Sequence, residues 1–388
     1  AIIDQIRKGL LDMVALKRAS NRSRLEAAFD VAERELGVAR LLDPEDVDVD
    51  RPDEKSVMTY VAQFLHKYPE LRSDSGDTVS MVQTEYNNMM TWLYERNSYL
   101  QHMRQANTLS TNYADYAAFQ NEVLNKVDLY NKLHSLVDSR SVISITAESW
   151  REIEMLWKQL EMHMRYWLRL LDSKLPPPFG QVGDWIAQAE DMIESDDIPT
   201  VMNEETASII SRKLEDHKAF FADLPHIETL FEQGVASSSY QNKVPEAQLD
   251  NMAQRLHAIG PRAAQRRVRL KFLEHKCCLI AFLHLTETKL RIWTVKYGRE
   301  EKVQQLLEQY TNFVSRNRIF QEFNKAYIDM QQVVEEYKRE GNIDQKESIG
   351  IDRFMRETAE RWKNVSMELR CVQSMLEEVV AYWRRWNP

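Results

Sequence analysis

The stretch LLDPEDVDVDRPDEKSVMTYVAQFLHKY, residues 41–68, decides how this chain is read. Asp43 and Pro44 open an acidic loop. Pro52 then pre-sets φ for a first helical turn carrying Asp53 and Glu54, whose charges suit a helix N-terminus. Val57, Tyr60, Val61, Phe64, Leu65 and Tyr68 follow at spacings of three and four, which is one apolar stripe on a helix. Upstream, NRSRLEAAFDVAEREL, residues 21–36, predicts another helix, and AIIDQIRKGLLDMVAL, residues 1–16, predicts a helix already under way at residue 1.

Composition extends the helical reading to the rest of the chain. Ten glycines and eleven prolines in 388 residues leave little material for turns, and 29% of the residues are charged. Sixteen methionines and nine tryptophans supply bulk for helix seams. The net charge of −9 argues against a general nucleic-acid binder, which needs a surplus of Lys and Arg. Three cysteines, Cys277 and Cys278 adjacent, make no disulfide framework and suit a reducing compartment. No run of about 20 apolar residues is present, so no membrane span is expected here.

After Pro69, LRSDSGDT reads as a polar linker with turn residues, giving a linker over 69–78. Three helical units are then expected. In the first, 79–175, one helix shows Val82, Tyr86, Met89, Leu93, Leu100 and Met103 on a face that Arg96 interrupts. The next shows Tyr116, Phe119, Val123, Val127, Tyr130 and Val137, with His134 in the seam. The third carries Trp150, Ile153, Trp157, Leu160, Met164, Trp167 and Leu171 at alternating spacings of three and four, a heptad seam. Three antiparallel helices of this kind make a bundle.

LPPPFG, residues 175–180, breaks the helix and opens the second unit, 180–261. Its first helix holds Val182, Trp185 and Ile186; its second starts near Asn203, a capping residue followed by two acids. Residues 234–240 read as a Gly/Ser loop, a third helix follows Pro245, and Gly260-Pro261 is expected to bend or break it. In the third unit, 262–388, Gly341, Asn342 and Gly350 bound the last loop. The final helix carries Ile351, Met355, Trp362, Val365, Leu369, Val372, Leu376, Val379, Trp383 and Trp386, with Thr358 the one break in its seam. Trp157-Lys158 and Trp362-Lys363 lie 205 residues apart, two periods of a repeat slightly over a hundred residues long.

The front segment, residues 1–68, resembles the second half of a calponin-homology domain, and more narrowly the second domain of a tandem actin-binding pair. The tryptophan-marked three-helix units resemble spectrin repeats. Their succession is similar to the N-terminal region of nesprins. The resemblance implies an all-α elongated array, a partial calponin-homology domain followed by spectrin-like bundles, with no enzymatic role. It implies F-actin as partner, other cytoskeletal or nuclear-envelope proteins besides, and a place in the cytoplasm on the cytoskeleton, at the cytoplasmic face of the nuclear envelope in the full-length protein. It also implies helices and a first calponin-homology domain ahead of Ala1. The chain is therefore expected to be a fragment, or an isoform that lost its front end, with its front segment marginally stable and its actin affinity weak. Another spectrin-superfamily crosslinker, at membrane or junction, and a regulatory scaffold whose catalytic domain lies elsewhere are the alternative readings.

Chemistry-bearing motifs are lacking: the sequence has no G-x-x-x-x-G-K-[ST], H-E-x-x-H, C-x-x-C or G-x-S-x-G, and no cofactor is expected. The acids Asp43, Glu45, Asp46, Asp48 and Asp50 lack the glycine and terminal glutamate spacing of a calcium loop and read as a solvated loop. Cys277 and Cys278 point about 100° apart on a helix and do not share a metal. The sharpest charge feature is RAAQRRVRLK: Arg262, Arg266, Arg267, Arg269 and Lys271. It reads either as a solvated face or as a contact for an anionic partner, filament or lipid. Arg266, Arg267 and Arg269 are expected to be largely exposed, and Trp150, Trp157, Trp185 and Trp362 buried. LPPPF reads as a rigid break or as a docking motif for a proline-binding module.

Overall fold

The computed structural model describes residues 2–7, 9–68, 70–138, 145–194, 197–237, 243–294 and 298–386, and among these it contains helices and no strand. The chain divides into two compact units, residues 1–110 with 114–164 and residues 111–113 with 165–388.

The first unit opens with α1 (Ile2–Ile6), α2 (Met13–Lys17), α3 (Asn21–Arg34), α4 (Pro44–Val47) and α5 (Glu54–Lys67). The single helix expected over residues 1–16 is two short ones. Gly9 at φ 86 separates them, and the Asp12 side chain caps α2 by accepting from the Val14 and Ala15 amides. In α5 the cap is Asp53, whose carboxylate accepts from the Ser56 amide at 3.3 Å. The acidic run holds a turn of helix, because Asp43 and Asp46 form a reciprocal capping box around Pro44. Phe29, Ala32, Leu36, Val38, Leu42, Tyr60 and Phe64 pack as one core with Ile3, and the Phe29, Tyr60 and Phe64 rings meet edge to face.

The first bundle comprises α6 (Glu70–Gln105), α7 (Tyr113–Asp138) and α8 (Ala147–Ser173). Residues 71–78, expected to be a linker with turns, are helical; after Pro69 that stretch holds one glycine and no proline, so nothing in it blocks a helix. Trp150, Ile153, Trp157, Leu160, Met164, Trp167 and Leu171 are all buried. Two seam positions differ from expectation by one residue. Asn97, not Arg96, fills the α6 seam, donating to the Leu93 carbonyl at 2.9 Å and the Leu156 carbonyl at 3.0 Å, while Arg96 pairs with Glu122. In α7 the seam residue is Leu133, fully buried, and His134 is half-exposed beside Trp150.

In the second unit, α9 (Phe179–Glu194), α10 (Glu204–Phe221), α11 (Leu224–Ala236) and the first part of α12 (Glu246–Trp293) form the second bundle. Asn203 caps α10 as expected, accepting from the Thr206 amide at 2.9 Å. Gly234 lies inside α11 rather than in a loop. A Cβ there would stand 2.8 Å from Pro178, so the glycine permits close packing against the proline run. Residues 238–240 of the expected Gly/Ser loop lie outside the described residues.

The expected break at Gly260-Pro261 is absent. The helix α12 runs unbroken for 48 residues through both, so the boundary expected at 261/262 falls within one helix. Mid-helix Gly and Pro cost about 1 and about 3 kcal/mol relative to Ala. Burial on both sides offsets this, with Met252, Leu256 and Ile259 in one core and Val268, Phe272, Leu279, Leu283 and Leu290 in the next.

The third bundle joins the later part of α12 to α13 (Glu300–Tyr310), a π-helical turn (Thr311–Arg316), α14 (Ile319–Glu340) and α15 (Gln345–Trp386). Trp362 stacks on Phe323 with centroids 4.0 Å apart, and Tyr310 donates to the Leu369 carbonyl at 2.9 Å. Gly341 ends α14, but Gly350 lies inside α15 rather than in the loop. Thr358 stays in the buried seam, since its hydroxyl and methyl fit there at 4% exposure. Trp386, expected on the seam, is exposed.

Candidate interaction surfaces

The front segment carries an open apolar cleft of about 310 Å³, lined by Ile2, Leu25, Phe29, Val57, Tyr60 and Phe64 among others. The Tyr60 hydroxyl is buried without a partner, and burial pushes its pKa up. At the other side of this core, Arg40 spans Glu26 and Asp43, with bonds of 2.8 and 2.9 Å to Glu26, and its guanidinium sits 5.8 Å over the Phe29 ring. Arg22 lies near Glu45 and Asp48. Asp43, Glu45, Asp46 and Asp48 of the acidic run are thus engaged in caps and ion pairs. No group of three or more His, Cys, Asp or Glu residues suited to a metal occurs among the described residues.

The basic run of α12 points in several directions, as 100° per residue dictates. Arg262 pairs with Glu194 of α9. Arg266 is buried, contrary to expectation, with Nη1 2.7 Å from His217 Nδ1 of α10. Arg267 is part-buried, 3.5 Å from Glu336 and 3.7 Å from Glu340 of α14, and Lys271 donates to Glu336 at 2.7 Å. Arg269 alone of the three arginines expected outside is exposed. The run is flanked by two different bundles, so its cations meet partners within the chain. Lys271, with Arg267 beside it, holds the Glu336 carboxyl below the usual carboxylate range.

Cys277 is buried with its thiol 3.1 Å from Met202 Sδ, while Cys278 is exposed. In LPPPF the phenylalanine, Phe179, is buried in the second bundle and edge-on to Phe231. No described helix is long and apolar enough to cross a membrane.

Sequence reasoning missed one buried polar cluster. Asp172, in the last turn of α8, accepts from Gln248 Nε2 and from Arg255 Nη1, both at 2.9 Å. Arg255 also forks onto Glu190 of α9 at 2.9 and 2.6 Å. Burial pushes the Asp172 carboxyl up against the pull of Arg255. Burial alone would lower the Arg255 guanidinium, but Glu190 and Asp172 hold it above its ordinary value. A Cβ on Gly183 would lie 2.6 Å from that of Asp172, and this glycine was the one available signal of a close approach.

A calponin-homology segment leading into tryptophan-centred three-helix bundles defines a cytoskeletal repeat class. The family model of the calponin homology (CH) domain matches residues 1–70, and that of "Nesprin-1, spectrin repeats" matches residues 282–388. The chain is similar to nesprins over most of its length. It is 56% identical over all 388 residues to the Drosophila melanogaster "Muscle-specific protein 300 kDa". It is 28% identical over 84% of its length to human "Nesprin-2", and 23% identical over 99% to the Caenorhabditis elegans "Nuclear anchorage protein 1". The chain spans 3%, 5% and 4% of the lengths of these three relatives.

Proposed function

We propose that this chain is the actin-proximal part of a non-enzymatic linker that couples actin filaments to the nuclear envelope, working in the cytoplasm on the cytoskeleton. The observation that carries the reading is the order of parts: a calponin-homology segment, then helical bundles with Trp150, Trp157, Trp185 and Trp362 buried in them. The name of the worm relative, an anchorage protein of nuclei, agrees with it. An anionic filament surface would meet the exposed Arg269, while Arg262, Arg267 and Lys271 are paired with Glu194, Glu336 and Glu340. Depleting the protein in cells, with restoration of the intact gene as control, tests the role. Nuclei should lose their coupling to moving actin and regain it on restoration. Unchanged coupling after complete depletion would refute the proposal.

A further inference from the structure

Two helices of the second bundle carry a helix-breaking feature at one level. On α12 that level is Gly260-Pro261, where Pro261 has no N–H to give the His257 carbonyl. The helix packed antiparallel to it is interrupted at the same height: α10 ends at Phe221 and α11 begins at Leu224, with Pro225 in its first turn. The heights match because a Cβ on Gly260 would meet Leu224 Cδ2 at 3.9 Å. On the third helix, α9, the Glu194 carboxylate reaches Arg262, one residue past the proline.

Two cores lie on opposite sides of this level. Trp185, Ile227, Met252, Leu256 and Ile259 form one, and Ala207, Ile210, Leu214, Leu270 and Cys277 the other. The end of α10 reaches the first core through Phe220 and Phe221. Trp185 of α9 stacks on Phe220 at 5.1 Å and 7° and meets Phe221 edge-on at 6.1 Å. Arg262 binds Glu194, and both side chains are over a third exposed, so salt reaches the pair.

We propose that Gly260-Pro261, with the facing break at residues 222–223, is a latent hinge inside the second bundle, latched by the Trp185 stack and the Arg262–Glu194 pair. Such a joint lets a helical linker yield by a local opening before any bundle unfolds. Kinks concentrate where the helix ladder lacks a bond, and hinges occupy a few element-terminal residues.

Hydrogen exchange on the whole chain tests this. In the wild type, peptides covering 256–262 and 220–226 should exchange together, about ten-fold faster than the turns centred on 250 and 270. Arg262→Glu, or high salt, should speed both peptides further while far-ultraviolet helicity is unchanged. Pro261→Ala should slow both, including 220–226 on the other helix. A second readout is the distance between labels carried by non-canonical residues at exposed Glu232 and Glu322. Its distribution should broaden in Arg262→Glu and narrow when Pro261→Ala is added. Uniform protection along α12, or a Pro261→Ala effect confined to 256–262, would overturn the hinge.

Discussion

Asp172 and Arg255 stand 83 residues apart in sequence and 2.9 Å apart in the fold, and the carboxylate is almost wholly enclosed. They join the last turn of α8 to α12, and through Glu190 to α9, so three helices share one ion cluster. Desolvation consumes most of what the charges gain from one another. The cluster thus specifies how the helices meet more than it stabilises them. Asp172→Ala leaves Arg255 with one acid and Gln248 unpaired, and should cost about 3–5 kcal/mol. Replacing the set together, Asp172→Leu with Glu190→Leu and Arg255→Met, should cost much less. Urea unfolding followed through Trp185 checks both, and equal losses for the two variants would contradict the argument.

Gly183 is the packing partner of that cluster. Gly183→Ala should destabilise the second bundle by about 1–3 kcal/mol, although alanine is the better helix former by about 1 kcal/mol. Thermal unfolding decides the sign. A stabilised variant would mean that α8 and α9 can separate freely.

The seam positions can be checked in pairs. Leu133→Ala should cost about 2–5 kcal/mol, whereas His134→Ala should stay within about 0.5 kcal/mol. Trp157→Ala and Trp362→Ala should each cost about 3–5 kcal/mol. Denaturant titration monitored by circular dichroism measures all four, and a larger loss at His134 than at Leu133 would reverse the α7 register.

The Leu133 and Asn97 corrections show where the sequence stopped being legible. A heptad step of seven divides as three plus four or as four plus three. Between Leu93 and Leu100, and between Tyr130 and Val137, both divisions fit. Spacing permits Arg96 and His134 as the middle members; the chain uses Asn97 and Leu133. Where the intermediate residues were large and apolar, as in α8 from Trp150 to Leu171, spacing alone placed every one. Gly260-Pro261 and Gly350 misled for another reason. Their local cost to a helix is small beside the burial of the turns around them. Arg266 was placed outside because nothing in sequence reveals that two bundles flank α12 at that level. The calponin-homology match was legible because its loop and caps are local features, with Asp43, Asp53 and their partners three residues on.

Acid should act through Glu336. Its carboxyl is held down by Lys271 and Arg267, so its folded pKa lies below the unfolded value near 4.3. The stability it contributes is present above that unfolded value and is lost as pH falls through the folded pKa. Glu336→Gln should therefore be less stable than wild type at pH 7 and should lose less between pH 5 and pH 3. Unfolding midpoints across that range test it, and parallel curves for the two proteins would rule out the pair's contribution.

Co-sedimentation of residues 1–388 with actin filaments across a salt series tests the central claim most directly. Pelleting should be weak at low ionic strength, where the Debye length is about 30 Å at 0.01 M, and should fall steeply towards 0.15 M. Arg269→Glu should weaken it further, since that side chain is the exposed member of the basic run. No pelleting at low salt, or tight binding that salt and Arg269→Glu leave unchanged, would contradict the account.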